Sequence, residues 1–232
     1  MPTEQKTLFG RIDVHRNLRR YNEGGAKDMG RHPDGRYASF DYCFNYFQTF
    51  REQNRIADIC TAENIERSCF QLAFYLASWG MLRGSSFLLW KSIRFYRCLI
   101  EMIARSDERL WGMDVDRYLD DDSIALLLRT RSDICAALGR KGDKMDTLAT
   151  KIMLGVYGNV PAYDQYFCKG LEVSTFGKKS LRKVAEFYAY HRDVIDDHAR
   201  ATCTLDFHSG KPTQRHYTKA KIVDMVLVMQ GQ

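Results

Sequence analysis

Apolar residues recur at helical spacing in one segment of this chain after another, and few residues interrupt them. One run begins at Ile65 and continues through Leu72 and Leu76 to Trp79, and the 232 residues include only four prolines. Because proline breaks helices and a 3.6-residue period places side chains on one face, the pattern predicts amphipathic helices. The predicted fold class is all-α, mostly α-helical, with a short β-hairpin or loop at residues 203–217.

Five further segments show the helical period, and cap or turn residues mark several of their ends. Acidic residues at 120–122 complement the dipole of the helix that follows them, Gly139 stops that helix, and Asp146 is predicted to cap the next. These predicted helices are Phe87–Ala104, Ser123–Gly139, Met145–Gly158, Lys178–Ala199 and Lys219–Gln230.

Composition and turn signals predict one main domain. The hydrophobic content of 45 % is typical of a globular chain. The first residues are rich in Gly, Arg and Asn and contain the turn sequences GG and HPDGR. We therefore predict a partly flexible N-terminal arm at 1–36 and a single helical domain at 37–232.

Several protein classes are disfavoured by the sequence. The N-terminus is charged and lacks the apolar core of a signal peptide, and the longest uncharged run, 69–82, is shorter than the roughly 20 apolar residues of a membrane span. The seven cysteines form no CxxC pair, which argues against a disulfide framework and a zinc knuckle. We expect a protein that is not secreted, has no membrane partner and is cytoplasmic or nucleoid-associated.

A basic turn separates two of the predicted helices and is a candidate contact for nucleic acid. The chain carries 35 basic and 29 acidic residues, a formal net charge of +6, which permits attraction to a polyanion. Glycine backbone amides can bind a phosphate without reading sequence, and neighbouring cations add charge. The predicted DNA-binding residues are Gly139, Arg140, Lys141, Gly142 and Lys144.

The segment KIMLGVYGNVPAYDQYF, residues 151–167, places a lysine early in a helix and an aspartate beyond a Val-Pro pair. An unprotonated lysine near a helix N-terminus and apolar side chains is a good nucleophile towards a sugar C1′. A nearby carboxylate stabilises the positive charge that develops on the sugar. Lys151 and Asp164 are therefore the candidate catalytic residues, and Asp164 is also predicted to cap a helix that runs through Phe167.

This order of parts resembles the helix-hairpin-helix DNA glycosylases, particularly the branch similar to 8-oxoguanine DNA glycosylase. In that branch a lysine opens the second hairpin helix and a Val-Pro turn leads to an aspartate, matched here by Val160, Pro161 and Asp164. The resemblance covers 124–167, although the hairpin reads LGRKGDKMD where the family has a Pro-Gly-x-Gly core. It implies a DNA repair enzyme that excises a modified base, with Lys151 as Schiff-base nucleophile and no cofactor.

A second group of residues is a candidate pocket for an extruded base or a phosphate. The sequence SWGMLRGSS places a tryptophan, an arginine and two serines around two glycines. The alternative is an ordinary turn between helices with a buried tryptophan. The candidate pocket residues are Trp79, Arg83, Ser85 and Ser86.

Other functions remain open at this point. Arg192 and His198 match the spacing found in HEPN ribonucleases, which cleave RNA without a metal, so RNA is the partner under that alternative. A non-catalytic helical module that binds nucleic acid or protein needs no motif at all. Equally, Lys151 can belong to an ordinary amphipathic helix with Asp164 as a simple cap. No metal site is predicted, because no HExxH or paired His spacing occurs, and no P-loop, dinucleotide fingerprint or GxSxG elbow is present.

Overall fold

The computed structural model describes residues 8–25, 28–140 and 145–232. The predicted all-α fold class is confirmed, since helices dominate the described residues. The α-helices are α1 (Val14–Glu23), α2 (Ala38–Glu52), α3 (Ile65–Ser78), α4 (Arg97–Ala104), α5 (Asp121–Ala137), α6 (Asp146–Tyr157), α7 (Gln165–Leu171), α8 (Lys178–Tyr190), α9 (Arg192–Ala201) and α10 (Lys219–Gly231). Short 3-10 helices lie at Ile56–Cys60, Phe87–Trp90, Ile93–Tyr96, Glu108–Trp111 and Val115–Arg117.

The predicted hairpin near the C-terminus is also confirmed. Strands β1 (Cys203–Leu205) and β2 (Pro212–His216) pair antiparallel, with Cys203 opposite His216 and Leu205 opposite Pro212. The hairpin packs on α2, where Asn45 donates a hydrogen bond to the Leu205 carbonyl at 2.9 Å.

Cap chemistry sets most of the predicted helix ends. Asp120 accepts a hydrogen bond from the Ser123 amide at the start of α5, and Gly139 follows the end of α5 with a left-handed φ of 62°. The prediction that Asp146 caps α6 is wrong, because Met145 holds that position. The Asp146 carboxylate instead accepts hydrogen bonds from Arg131 and from the Phe176 amide, so tertiary contacts took precedence over capping.

Two predicted helices are interrupted. The segment 87–104 is not one helix, because Lys91 and Ser92 have extended backbones and the α-helix begins only at Arg97. The segment 178–199 breaks at His191, whose φ of −111° and ψ of 22° leave the helical region. The His191 ring lies 3.1 Å from the Phe9 carbonyl, so a contact with the N-terminal part of the chain fixes this break.

Helix α10 forms the centre of the fold and is buried on nearly all sides. It meets α7 at backbone contact: a Cβ on Gly170 would lie 2.1 Å from the Leu227 carbonyl oxygen, and one on Gly231 would lie 1.9 Å from that of Tyr166. Only glycine permits this approach, and α7 is thereby fixed against the central helix.

The segment assigned to an N-terminal arm contains α1, which packs on α10. Val14, Leu18 and Tyr21 of α1 are buried, and Asn17 donates a hydrogen bond to the Gln230 side chain at 3.0 Å. Residues 14–23 therefore belong to the core. Nowhere in the described ranges does a helix combine the length and the apolar composition that a membrane span requires.

Candidate functional site

Lys151 and Asp164 lie side by side. The Lys151 amine is 3.5 Å from Asp164 Oδ2, and the two side chains are 6 % and 17 % exposed. Asp164 is the N-cap of α7, as predicted: its Oδ1 accepts hydrogen bonds from the Tyr166 and Phe167 amides at 3.0 and 3.1 Å. The carboxylate thus caps a helix with one oxygen and faces the buried amine with the other.

Local contacts explain why the chain returns Asp164 to Lys151. Helix α6 ends at Gly158, whose φ of 68° reverses the chain. The Tyr163 amide then donates to the Thr150 hydroxyl at 2.8 Å, and the Ala162 amide donates to the Asp224 carboxylate at 2.9 Å. The loop between α6 and α7 is therefore held against both α6 and α10.

Burial gives the Lys151 amine an unusual environment. Removal from water disfavours the ammonium form and lowers the pKa of Lys151, and the nearby Asp164 and Asp224 carboxylates oppose that shift without cancelling it. Its amine also donates a hydrogen bond to the Trp79 carbonyl at 2.9 Å. A lowered pKa increases the neutral fraction of the amine, and the neutral form is the nucleophile.

Trp79, predicted as a pocket residue, covers this amine. Its indole ring centre lies 5.6 Å from the Lys151 amine, and the indole stacks on the Tyr37 ring at 5.3 Å with an angle of 10°. Tyr37 stacks in turn on Tyr21 at 4.3 Å. Helix α3 ends at Trp79, and Gly80 follows with a φ of 75°.

The other three predicted pocket residues lie in three different environments. Arg83 folds back over Gly80, and its positive charge acts on Lys151 as one of the minor influences that lower the pKa of the amine. Ser86 accepts a hydrogen bond from the Leu88 amide and donates one to a carbonyl, so it caps the following 3-10 helix. Ser85 is exposed. The structure therefore places Trp79 against the lysine, Arg83 acts on it only through its charge, and Ser86 caps the following 3-10 helix.

A second buried ion pair lies beside the first and was missed in the sequence. The Lys221 amine is 3.0 Å from Asp224 Oδ2 and 3.1 Å from the Tyr21 hydroxyl. It also lies 4.6 Å from the centre of the Phe40 ring and 5.0 Å from that of Trp79. A signal for this pair exists: two opposite charges stand three positions apart in the otherwise apolar segment KIVDMVLVM.

The predicted DNA-binding turn is described only at its start. Gly139 has the left-handed backbone expected of a helix stop, and Arg140 is exposed with its guanidinium 4.1 Å above the Phe87 ring. Lys141, Gly142 and Lys144 lie outside the described residues.

The two residues of the ribonuclease alternative share α9. Arg192 and His198 are six positions apart, which places them about 120° apart around the helix axis. Arg192 lies 5.6 Å above the Tyr188 ring, whereas His198 Nε2 is 3.0 Å from His15 Nδ1. Burial lowers the pKa of His198, and His15 lowers it further. The structure thus gives His198 an imidazole partner that the spacing alone did not show.

Within the described parts of the chain, no group of three or more His, Cys, Asp or Glu residues is arranged to hold a metal ion. No family model matches the sequence, and no curated protein or solved structure is significantly similar to it. Function must therefore be inferred from the site itself.

Proposed function

We propose that this protein is a DNA-binding, glycosylase-like enzyme that excises a modified base with Lys151 as amine nucleophile. The observation that carries the proposal is the pairing of a buried Lys151 amine with Asp164 at 3.5 Å. Burial lowers the pKa of Lys151, which is the condition that an amine nucleophile requires.

In the proposed reaction, the neutral Lys151 amine forms a bond to the sugar C1′ while the C1′–N bond to the base breaks. The base leaves with the electron pair of that bond and takes up a proton. Loss of the amine protons and opening of the sugar ring then yield an imine between Lys151 and C1′, which water hydrolyses. Asp164 Oδ2, placed on the same side as the amine, stabilises the positive charge on the sugar.

The capping role of Asp164 is consistent with this assignment. Two backbone amides donate hydrogen bonds to Oδ1, so the Asp164 side chain is held in one rotamer and Oδ2 points in one direction. Positioning of this kind is what makes a carboxylate effective in a transition state.

Borohydride trapping on a panel of duplexes with modified bases tests the proposal, because borohydride reduces the imine to a stable adduct. We expect an adduct that peptide mass spectrometry locates at Lys151. Lys151→Met should abolish it, whereas the control Lys179→Met removes an exposed amine outside the site and should retain it. Absence of an adduct on every duplex, or an adduct that survives Lys151→Met, would refute the nucleophile assignment.

Binding without turnover is the outcome that would favour a non-catalytic module. In that case duplex affinity should fall with salt, and Lys141→Glu or Lys144→Glu should weaken it. Unchanged affinity in both variants would exclude the turn as a DNA contact.

The contact between His198 and His15 favours one further candidate, a metal-independent ribonuclease. Imidazoles 3.0 Å apart can serve as acid and base at neutral pH, and a lowered pKa keeps His198 available as the base. The ribonuclease would lose activity in His198→Ala and in His15→Ala but keep it in Lys151→Met. Cleavage that persists in both histidine variants would rule this function out.

A further inference from the structure

We infer that the Trp79 turn, residues 79–84, is a gate over the Lys151 amine, and that its opening frees the ring face of Tyr37 for a planar nucleobase. The inference rests on the proposed function, because it names the group that the Lys151 site receives. It also gives Trp79 a role that differs from a fixed pocket wall.

In the closed state the turn occupies both parts of the site. Its Trp79 carbonyl accepts a hydrogen bond from the Lys151 amine at 2.9 Å, so the turn is in direct contact with the nitrogen that would react. Its indole covers Tyr37 with the rings nearly parallel, 10° apart. No substrate can reach the amine or stack on Tyr37 until the turn moves.

The closed turn leaves one buried polar group without a hydrogen bond. Trp79 Nε1 is buried and has no hydrogen-bond partner among the described residues, although an indole N–H normally finds one when it is removed from water. Gly80 and Gly84 border the middle of the turn with left-handed φ values of 75° and 58°. The missing partner favours movement of the indole, and Gly80 is the position at which the Trp79–Gly80 peptide, and with it the Trp79 carbonyl, can rotate.

The surroundings of the indole identify the chemical class of the group that replaces it. Tyr37 offers a ring face, and the amines of Lys151 and Lys221 lie 5.6 and 5.0 Å from the indole centre. A planar aromatic group with acceptor atoms fits such a position, since it can stack on the ring and accept from the amines. A nucleobase has both properties.

Reductive methylation in the absence of nucleic acid tests the gate. Formaldehyde condenses with a neutral amine to an imine and water, and cyanoborohydride supplies the hydride that reduces the imine to a methylamine. Peptide mass spectrometry then gives the rate at Lys151. In the wild type we expect Lys151 to react far more slowly than the exposed Lys179.

Gly80→Ala should open the gate, because alanine disfavours the φ of 75° that closure requires. The positive-φ cost of about 1–2 kcal/mol corresponds to a roughly five- to thirtyfold faster methylation of Lys151. Gly139→Ala is the matched control: its φ is 62° and a Cβ there meets nothing within 4 Å, so it has the same backbone cost at a position outside the turn 79–84. It should leave the Lys151 rate unchanged.

The buried Cys43 thiol, treated with iodoacetamide in parallel samples that lack the methylation reagents, reports global unfolding. A faster rate at Lys151 with an unreactive Cys43 supports a local gate. Equal acceleration of both groups, or acceleration in Gly139→Ala as well, would overturn it, and so would a wild-type Lys151 that reacts as fast as Lys179.

The stacking position is tested with 2-aminopurine deoxyriboside, whose fluorescence falls when it stacks on an aromatic ring. Gly80→Ala should bind it more tightly than the wild type by the same factor as the methylation change. In that background, Tyr37→Leu should abolish the quenching and Tyr37→Phe should retain it. Quenching that survives Tyr37→Leu, or none in Gly80→Ala, would overturn the assigned ligand class.

Neither measurement uses a duplex with a modified base, so the two proposals can fail separately. A gate that opens as expected in a protein that forms no borohydride adduct would refute the glycosylase function alone. An adduct at Lys151 in a protein whose methylation follows Cys43 would refute the gate alone.

Discussion

The two residues of the Lys151–Asp164 ion pair depend on each other to different degrees. We therefore expect substitution of one residue to destabilise the fold more than substitution of the other. The Asp164 carboxylate has two backbone partners and is 17 % exposed, so it stays satisfied without the lysine. Lys151 is 6 % exposed and would keep the Trp79 carbonyl as its hydrogen-bond partner and only the weaker attraction of the Asp224 carboxylate. Asp164→Asn should therefore destabilise the fold more than Lys151→Met does.

The size of the effect follows from the geometry. At 3.5 Å and an effective dielectric constant of about 20, the gross attraction is about 5 kcal/mol. Removing one partner of a buried pair costs roughly 3–5 kcal/mol, and this contact is longer than the about 2.8 Å of a strong charge-assisted bond. We therefore expect Asp164→Asn to lower the free energy of unfolding by about 2–4 kcal/mol where Lys151 is protonated, and Lys151→Met by less than about 1 kcal/mol.

The cost of Asp164→Asn should depend on pH in a defined direction. Burial already lowers the pKa of Lys151 from its ordinary 10.5, and loss of the Asp164 charge lowers that pKa further. Below the variant's pKa the full cost is present. As pH rises from the variant's pKa to the wild-type pKa the cost disappears, because the amine is then neutral in both folded proteins.

Urea denaturation of four proteins at pH 6 and pH 10 measures these effects: the wild type, the two single variants and the double variant. Asparagine is itself a good helix cap, so Asp164→Asn should cost only a few tenths of a kcal/mol once Lys151 is methionine. Asp164→Ala, which also loses the cap, should cost about 1 kcal/mol more at either pH. An Asp164→Asn cost that is equal with and without Lys151, or equal at both pH values, would refute the electrostatic account.

Three further predictions concern the site and its supports. Gly155→Ala should lower the free energy of unfolding by about 1–3 kcal/mol, because its Cβ would lie 2.4 Å from the Tyr75 ring; urea denaturation measures this. The double variant Lys221→Met with Asp224→Asn should be more stable in urea than either single variant, because each single change strands a buried partner. Arg140→Glu should weaken duplex binding and reduce the slope of log affinity against log salt by about 1, as titrations at several salt concentrations will show.

Each of these predictions has a control or a result that contradicts it. Gly177→Ala adds a methyl group with nothing within 4 Å, so it should lose only the preference of a helix N-cap for glycine over alanine, which is less than Gly155→Ala loses. A double variant of the second pair that is less stable than both singles would show that the ion pair is itself stabilising. Duplex affinity that does not change in Arg140→Glu would remove this arginine from the proposed contact surface.

Features fixed by neighbouring residues could be predicted from the sequence. Gly80 and Gly139 end helices because glycine adopts left-handed backbone at little cost, and Asp120 and Asp164 cap helices because their side chains reach amides two or three residues ahead. The same local chemistry predicted that a lysine and an aspartate flank one turn. Their distance became known only from the structure.

Features fixed by distant residues could not be predicted in this way. Tyr21 and Tyr37, which stack in a row with Trp79, come from the N-terminal part of the chain and from its junction with the helical domain. The turn sequences around them favoured an arm, because composition reports local preference and not burial. The breaks at Lys91 and His191 likewise lie within segments of good helical periodicity.

The two buried ion pairs differ in structure, and the difference indicates that the Lys221–Asp224 pair is structural and the Lys151–Asp164 pair is the candidate reactive site. Lys221 and Asp224 are 1 % and 3 % exposed and lie one turn apart on a single helix, so this pair forms without a contribution from a second helix. The Lys151 pair instead joins two helices and lies under Trp79, and Gly80, the next residue, has a left-handed backbone. Asp224 also accepts a hydrogen bond from the Ala162 amide, which belongs to the loop that leads to Asp164. The Lys221–Asp224 pair therefore helps to orient the loop that places Asp164 beside Lys151. Chemistry is therefore expected at Lys151, and substitution of Asp224 should change that chemistry only by displacing Asp164.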